Sequence, residues 1–284
     1  MAGRPGARTD GPAGRRPAAG GRLPPPHRGA GGRGRCRRGR CVMKAYVSQL
    51  RTELQLTLRN GEQLLLTLGI PVLLLAFFSL VDVLPTETDD PVDFLAPGIL
   101  ALAVMSTAMV SLGIGTGFER SYHVLKRLGT TPLGRPRLIA AKITSVVAVE
   151  LIQFAVLIPV AYALGWSPAS PNWLAAVGAV VTGTLAFAGI GLTLAGRLRG
   201  EINLAAQNGL YLVLLLLGGM IIPFGKLPGG LRSAAHVLPS GALADVLRDA
   251  LAGAGTDPTQ SWLILAAWAV VAPALAARLF RWDA

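Results

Sequence analysis

Cysteine is missing from everything after residue 41, since the chain's two cysteines, Cys36 and Cys41, both lie near the N-terminus. A body without thiols has no disulfide framework and no thiolate metal site. Charge is also scarce: 15% of the 284 residues are Asp, Glu, Lys or Arg, against about 25% in ordinary soluble domains. There is no Gly-x-x-x-x-Gly-Lys-[Ser/Thr] phosphate loop, no His-Glu-x-x-His helix and no Gly-x-Ser-x-Gly turn. ATP hydrolysis by a phosphate loop, zincin chemistry and serine hydrolysis therefore have no motif to rest on. What is plentiful is apolar side chain, at 52% of residues and a mean hydropathy of +0.51.

A formal net charge of +12 would ordinarily point to nucleic acid. Its distribution says otherwise. Residues 1–42 carry eleven of the arginines and one acid, Asp10, leaving a net of only +2 for residues 43–284. This first segment, rich in Arg, Gly and Pro, has too few large apolar side chains to offset its ordering entropy, so disorder is expected over 1–42. Arg15-Arg16 is followed by no apolar region and is not a twin-arginine signal. Three origins stay open for the segment: upstream codons read through before a true start at Met43, a polybasic tail on anionic lipid, or a nucleic-acid arm.

The body holds six apolar stretches, at about 63–83, 94–117, 138–164, 173–196, 204–224 and 260–280. Each is near the ~20 residues a helix needs to cross a hydrocarbon core of ~30 Å. One such stretch suits a buried helix of a soluble protein, but six do not. Counting Lys and Arg in the connections gives thirteen on the side that includes both ends of the body and three, Lys226, Arg232 and Arg248, on the other. The excess of positive charge places both termini in the cytoplasm. The fold expected is an all-α integral membrane protein with six transmembrane helices. Pro71 and Pro159 inside the spans each remove a backbone donor, to be compensated by neighbouring helices. The run Gly113-Ile114-Gly115-Thr116-Gly117 and the glycines at 178, 183, 189 and 191 offer small faces for close helix packing.

Three shorter elements lie outside the spans. Val47, Leu50, Leu54 and Leu58 recur at helical spacing among Lys44, Arg51, Glu53 and Arg59, the pattern of an amphipathic helix lying in the membrane interface over 43–62. In the cytoplasmic loop 118–137, Glu119 to His123 should continue the second span. Val124, Leu125 and Leu128 then make a short apolar face among Lys126 and Arg127, ending at Gly129 to Pro132. Such a face, held out from a membrane domain, suits a partner's groove. The last outer loop, 225–259, reads as two short amphipathic helices broken at Pro239-Ser240-Gly241, neither long enough to span.

Together these residues resemble the type-2 ABC transporter permease family, the membrane subunits of many bacterial exporters. The resemblance rests on the interfacial helix, on the loop Glu119-Arg120…Leu125-Lys126-Arg127-Leu128…Thr131-Pro132, and on Ile222-Pro223…Leu227-Pro228…Leu231-Arg232…Leu238-Pro239 after the fifth span. It covers about 43–281 and within the family is closest in character to drug- and antibiotic-resistance permeases. It implies a permease domain over 63–284, two permease copies or this chain with a similar one, and a separate ATPase subunit. It further implies a coupling helix at about 119–132 (Glu119, Arg120, Val124, Leu125, Lys126, Arg127, Leu128, Thr131, Pro132) that transmits nucleotide-driven closure. The expected product is efflux of a hydrophobic or amphiphilic small molecule across a bacterial plasma membrane, by a transporter subunit rather than an enzyme. No cofactor is expected on this chain, ATP and Mg belonging to the partner.

Within the spans Glu150, Gln153, Gln207 and Asn208 are polar. A carboxylate at that depth faces a bundle interior or a water-filled path, so Glu150, Gln153 and Asn208 are candidates for a translocation path, the alternative being helix-to-helix hydrogen bonds. An intramembrane lipid- or isoprenoid-modifying enzyme needs clustered carboxylates or a nucleophile–base pair inside the spans, and Glu150 stands alone there. An ion-coupled transporter calls for charges in several spans and an internal repeat, neither of which is evident.

Overall fold

The computed structural model describes residues 38–81, 91–124, 135–168, 171–221, 225, 228–253 and 258–280. Among them every regular element is helical. In chain order these are α1 (Arg38–Arg59), α2 (Gly61–Leu80), α3 (Pro91–Met105), a π-helical turn (Ser106–Ser111), α4 (Leu112–Ser121), α5 (Arg135–Ala163), α6 (Trp173–Arg197), α7 (Gly200–Leu217), α8 (Gly229–Val237), α9 (Pro239–Ala252) and α10 (Thr259–Leu279). Five helical segments are long and apolar enough to cross a membrane: Pro91–Ser121, Ile139–Ala163, Trp173–Arg197, Gly200–Leu217 and Thr259–Leu279. The stretch expected at 63–83 forms α2, whose described apolar part, Thr67–Leu80, is shorter than these.

Burial ranks the helices. In Pro91–Ser121, which runs unbroken through the π turn, 83% of the apolar window is buried, against 17% in Thr259–Leu279. The first is the core around which the others pack and the last is peripheral, its outward face left for lipid. At ~1.5 Å per residue, the 31 residues of Pro91–Ser121 extend about 46 Å. That exceeds a hydrocarbon core of ~30 Å.

Boundaries differ from the sequence expectation in instructive ways. The amphipathic helix starts at Arg38 rather than at 43, so residues 38–42 of the Arg-rich segment are helical and not disordered, while residues 1–37 lie outside the described residues. The break at Asn60 before Gly61 stands where the Asn-Gly pair suggested it. The fifth span stops at Leu217 and not at 224, and the second stops at Ser121 rather than His123. There His123 adopts a left-handed φ of 58° and its N–H returns to the Arg120 carbonyl at 3.0 Å, which ends the helix. The break between α8 and α9 falls at Leu238, because Pro239 suits the first turn of a helix, where its missing N–H costs nothing.

α9 is too short to cross a bilayer, yet most of it is buried, including Leu243, Val246, Leu247 and Leu251. Arg248 anchors it. Its guanidinium donates to the Gly219 carbonyl and, at 3.2 Å, to that of Met220, just past the end of α7, where orphan carbonyls attract a cation. It also stacks 3.9 Å from the ring centre of Phe94. Asp245 stands 3.8 Å from Arg248 and 3.9 Å from His236. Burial lifts the Asp245 carboxyl above its ordinary value, with Arg248 and His236 pulling the other way.

Candidate functional site

At the opposite end of the core helix, α1, α4 and α5 are joined by one lysine. Lys142 lies 3.0 Å from Glu53 on α1 and 2.8 Å from Glu119 on α4, with 4% of its side chain exposed. Gln49 donates to the same Glu53 oxygen at 2.9 Å, and Tyr46 meets Thr144 at 2.7 Å, so α1 is fastened along the start of α5 by polar contacts. Its other side leaves Met43, Val47 and Leu58 exposed. A buried ammonium needs compensating charge, and here two carboxylates from two helices supply it.

Arg120, next to Glu119, turns the other way. It is 8% exposed, and its guanidinium donates to the carbonyls of Ala195 and Leu198 at 3.2 and 3.0 Å. It thereby caps the C-terminal end of α6 with a cation. Ser121 accepts the Gly200 N–H at 3.2 Å, at the start of α7. The end of α4 is thus tied to α1 and α5 through Glu119, and to the α6–α7 corner through Arg120 and Ser121. Val124 follows, half exposed at 38%. Leu125, Lys126, Arg127, Leu128, Thr131 and Pro132 lie outside the described residues.

Two cavities open beside this tie. One, of about 720 Å³, is bounded by Ile70 and Pro71 of α2, Ser106, Val110 and Ser111 of the π turn, Ile114, Gly115 and Phe118 of α4, and Leu204, Asn208 and Tyr211 of α7. Its walls are mostly apolar. The other, of about 560 Å³, holds Glu53, Thr107, Ser111, Thr116, Glu119, Lys142 and Ser145. Asn60, Ser111 and Gly115 line both, so the two adjoin along the π turn. A π turn inside an α-helix often marks a functional site, and this one faces both spaces.

The remaining polar groups at membrane depth lock helices together. Pro71 has no N–H for the Thr67 carbonyl one turn earlier. Gln153 supplies one, its Nε2 donating to Thr67 O at 2.8 Å while its Oε1 accepts from Thr107 Oγ1, also at 2.8 Å. Asn203 and Gln207 are fully buried; Asn203 donates to the Gly113 carbonyl and Gln207 to that of Gly191, each at 2.9 Å. A Cβ at Gly113 would strike the Gln207 amide, and one at Gly117 the Asn203 amide. Two glycines four residues apart on α4 therefore admit two amides four residues apart on α7. Likewise Gly189 lets α6 meet the backbone of α10 at Ala272 and Pro273. Glu150 is 1% exposed and accepts from Thr184 Oγ1 at 2.8 Å.

Of the three candidates for a translocation path, Asn208 lines the larger cavity. Glu150 and Gln153 line neither cavity and join α5 to α6, and α5 to α2 and the π turn. The coupling candidates Glu119 and Arg120 are brought to one place, facing different partners. Asn203 went unread in the sequence; its spacing to Gln207, matched to that of Gly113 and Gly117, was the available signal. Lys142 counted there only as a loop cation.

Comparison with known proteins now adds identity. Residues 81–278 match the model of the family described as ABC-2 family transporter protein. A Bacillus subtilis (strain 168) protein named "Putative transport permease YvfS" is 28% identical over 204 residues, which is 70% of this chain and 82% of that protein. The family match covers more than two thirds of the chain, and the chain belongs to the ABC-2 transporter family. Membership makes it a transport permease rather than an enzyme. It also implies an ATPase partner and a dimeric permease, and with five apolar helices it fits a multi-pass membrane protein.

Proposed function

We propose that this ABC-2 permease is the membrane-spanning subunit of an ATP-driven exporter for a hydrophobic or amphiphilic small molecule, in the plasma membrane of a bacterium. In this reading α2, the α3–α4 segment, α5, α6, α7 and α10 are six crossings with both termini cytoplasmic, as the thirteen-to-three distribution of Lys and Arg favours. α1 lies in the inner interface and α8–α9 at the outer surface. The chain works as a homodimer or beside a similar permease, with ATP and Mg held by the ATPase subunits. Segment 118–137 receives their motion, and the adjoining cavities, with Asn208 in the wall, form part of the path.

The observation that carries this reading is the Lys142 tie. The two helices that frame segment 125–134 are α4 and α5, and they are locked to each other and to α1 at 2.8 and 3.0 Å. A push on the segment between them is then delivered to the floor of the cavities rather than absorbed by loose helix ends. Coupling of this kind needs only that the two nucleotide states of the ATPase pack differently on the segment. Changing Leu125 and Leu128 together to Asp is expected to release the ATPase in co-purification while the permease stays folded. Unchanged association would refute the docking role of that segment.

A further inference from the structure

The two adjoining cavities differ in chemistry along their length, and the difference specifies a ligand. Lys142 has three N–H donors, and two are committed to Glu53 and Glu119. The other oxygen of Glu119, Oε2, is buried and has no hydrogen-bond partner among the described residues, and the same holds for the hydroxyl of Thr116, a residue only 2% exposed. Both residues line the smaller cavity. With one buried ammonium between two partly exposed carboxylates the trio carries a formal net charge of −1, while Arg59 stands exposed at the rim, where solvent screens it. The unspent capacity of the polar cavity is therefore a negatively charged acceptor beside a hydroxyl. A ligand that brings a positive donor satisfies it; one that brings a second acceptor does not. The adjoining cavity of about 720 Å³ has the size and apolar lining of a small-molecule site but no formal charge on its walls.

We infer that the two cavities form one site for an amphiphilic amine, whose ammonium sits between Glu119 and Thr116 and whose apolar body lies along Val110, Ile114 and Tyr211. This rests on reading the cavities as part of the transport path, and it goes beyond that reading by naming the substrate class. The ammonium donates to Glu119 Oε2 and to the Thr116 oxygen; both atoms are sealed from water in this structure, so its entry shifts the side chains that cover them. The π turn separates head from body, since Ser111 borders both spaces.

The test is equilibrium binding of radiolabelled dodecylamine and of its neutral analogue N-dodecylacetamide to the full chain in phosphatidylcholine nanodiscs, with empty discs subtracted. The amine is expected to bind about 10-fold tighter, the order of a charge-assisted hydrogen bond. Glu119→Gln is expected to bring amine and amide within about twofold, and Thr116→Val to narrow the gap as a second variant that keeps every charge. Val110→Trp, which fills the apolar cavity, should weaken both ligands alike. Equal binding of amine and amide by wild type, or a preference that survives both polar variants, overturns the amine assignment. If Val110→Trp still weakens both ligands in that case, the path reading stands without it. If Val110→Trp leaves both unchanged, the path reading itself fails.

Discussion

Replacing Lys142 by Met keeps an unbranched apolar stem one atom shorter and removes the ammonium with its charge and N–H donors, which tests the tie between α1, α4 and α5. Wild type has one ammonium, 4% exposed, between carboxylates that are 13% and 26% exposed. In Lys142→Met both carboxylates lose their cation, Glu53 keeping only the Gln49 amide. Removing one member of a buried ion pair costs about 3–5 kcal/mol; partial water access to Glu119 favours the lower end, about 3 kcal/mol. The triple change Glu53→Gln, Lys142→Met, Glu119→Gln leaves no charge to desolvate, and such replacements are often neutral within about 1 kcal/mol. Unfolding in a graded denaturing detergent, followed by tryptophan fluorescence, should therefore show the single variant well below wild type and the triple variant close to it. Two results refute the reasoning: a single variant as stable as wild type, or a triple variant no better than the single. The first means the tie contributes nothing; the second means the lysine acts through its volume and not its charge.

Gln153→Leu keeps an apolar side chain there but removes the amide that donates to the Thr67 carbonyl, at an expected cost of about 1–3 kcal/mol; adding Pro71→Ala should recover part of this in the same unfolding assay. His123→Gly, at the left-handed position that ends α4, is expected to stabilise by up to about 1 kcal/mol, because glycine takes that conformation without strain, and a lowered midpoint contradicts it. Asp245 has a raised carboxyl in the folded state, so folding favours its protonated form. Its contribution is full below the ordinary value of 3.8 and is lost as pH rises through the raised one. Melting of wild type and Asp245→Asn compared at pH 4 and pH 7 should show a smaller fall in the variant.

The spans were legible because lipid-depth helices need only length and apolar content: α3 with α4, α5, α6 and α10 fall within a few residues of the stretches hydropathy marks, while α7 ends seven residues short of its stretch. Glycine and proline positions were legible as devices but not as pairs. Pro71 announces an orphan carbonyl, yet nothing near it in sequence names Gln153, 86 residues from Thr67, as the donor. Gly113 and Gly117 announce a close approach, yet the side chains that enter come from Asn203 and Gln207, which composition presents as polar residues near the start of a span. The same limit governs charge. Counting Lys142 among thirteen cytoplasmic cations suits orientation, where only the side of the membrane matters. It is silent on whether that lysine is solvated or buried between two acids from different helices, because that depends on where α1 lies. Once α1 runs beside α5, Lys142 cannot reach water and must be compensated, and Glu53 and Glu119 are the acids it meets. The charge that hydropathy treats as a topological marker thus becomes the fastener of the end at which the proposed coupling segment begins.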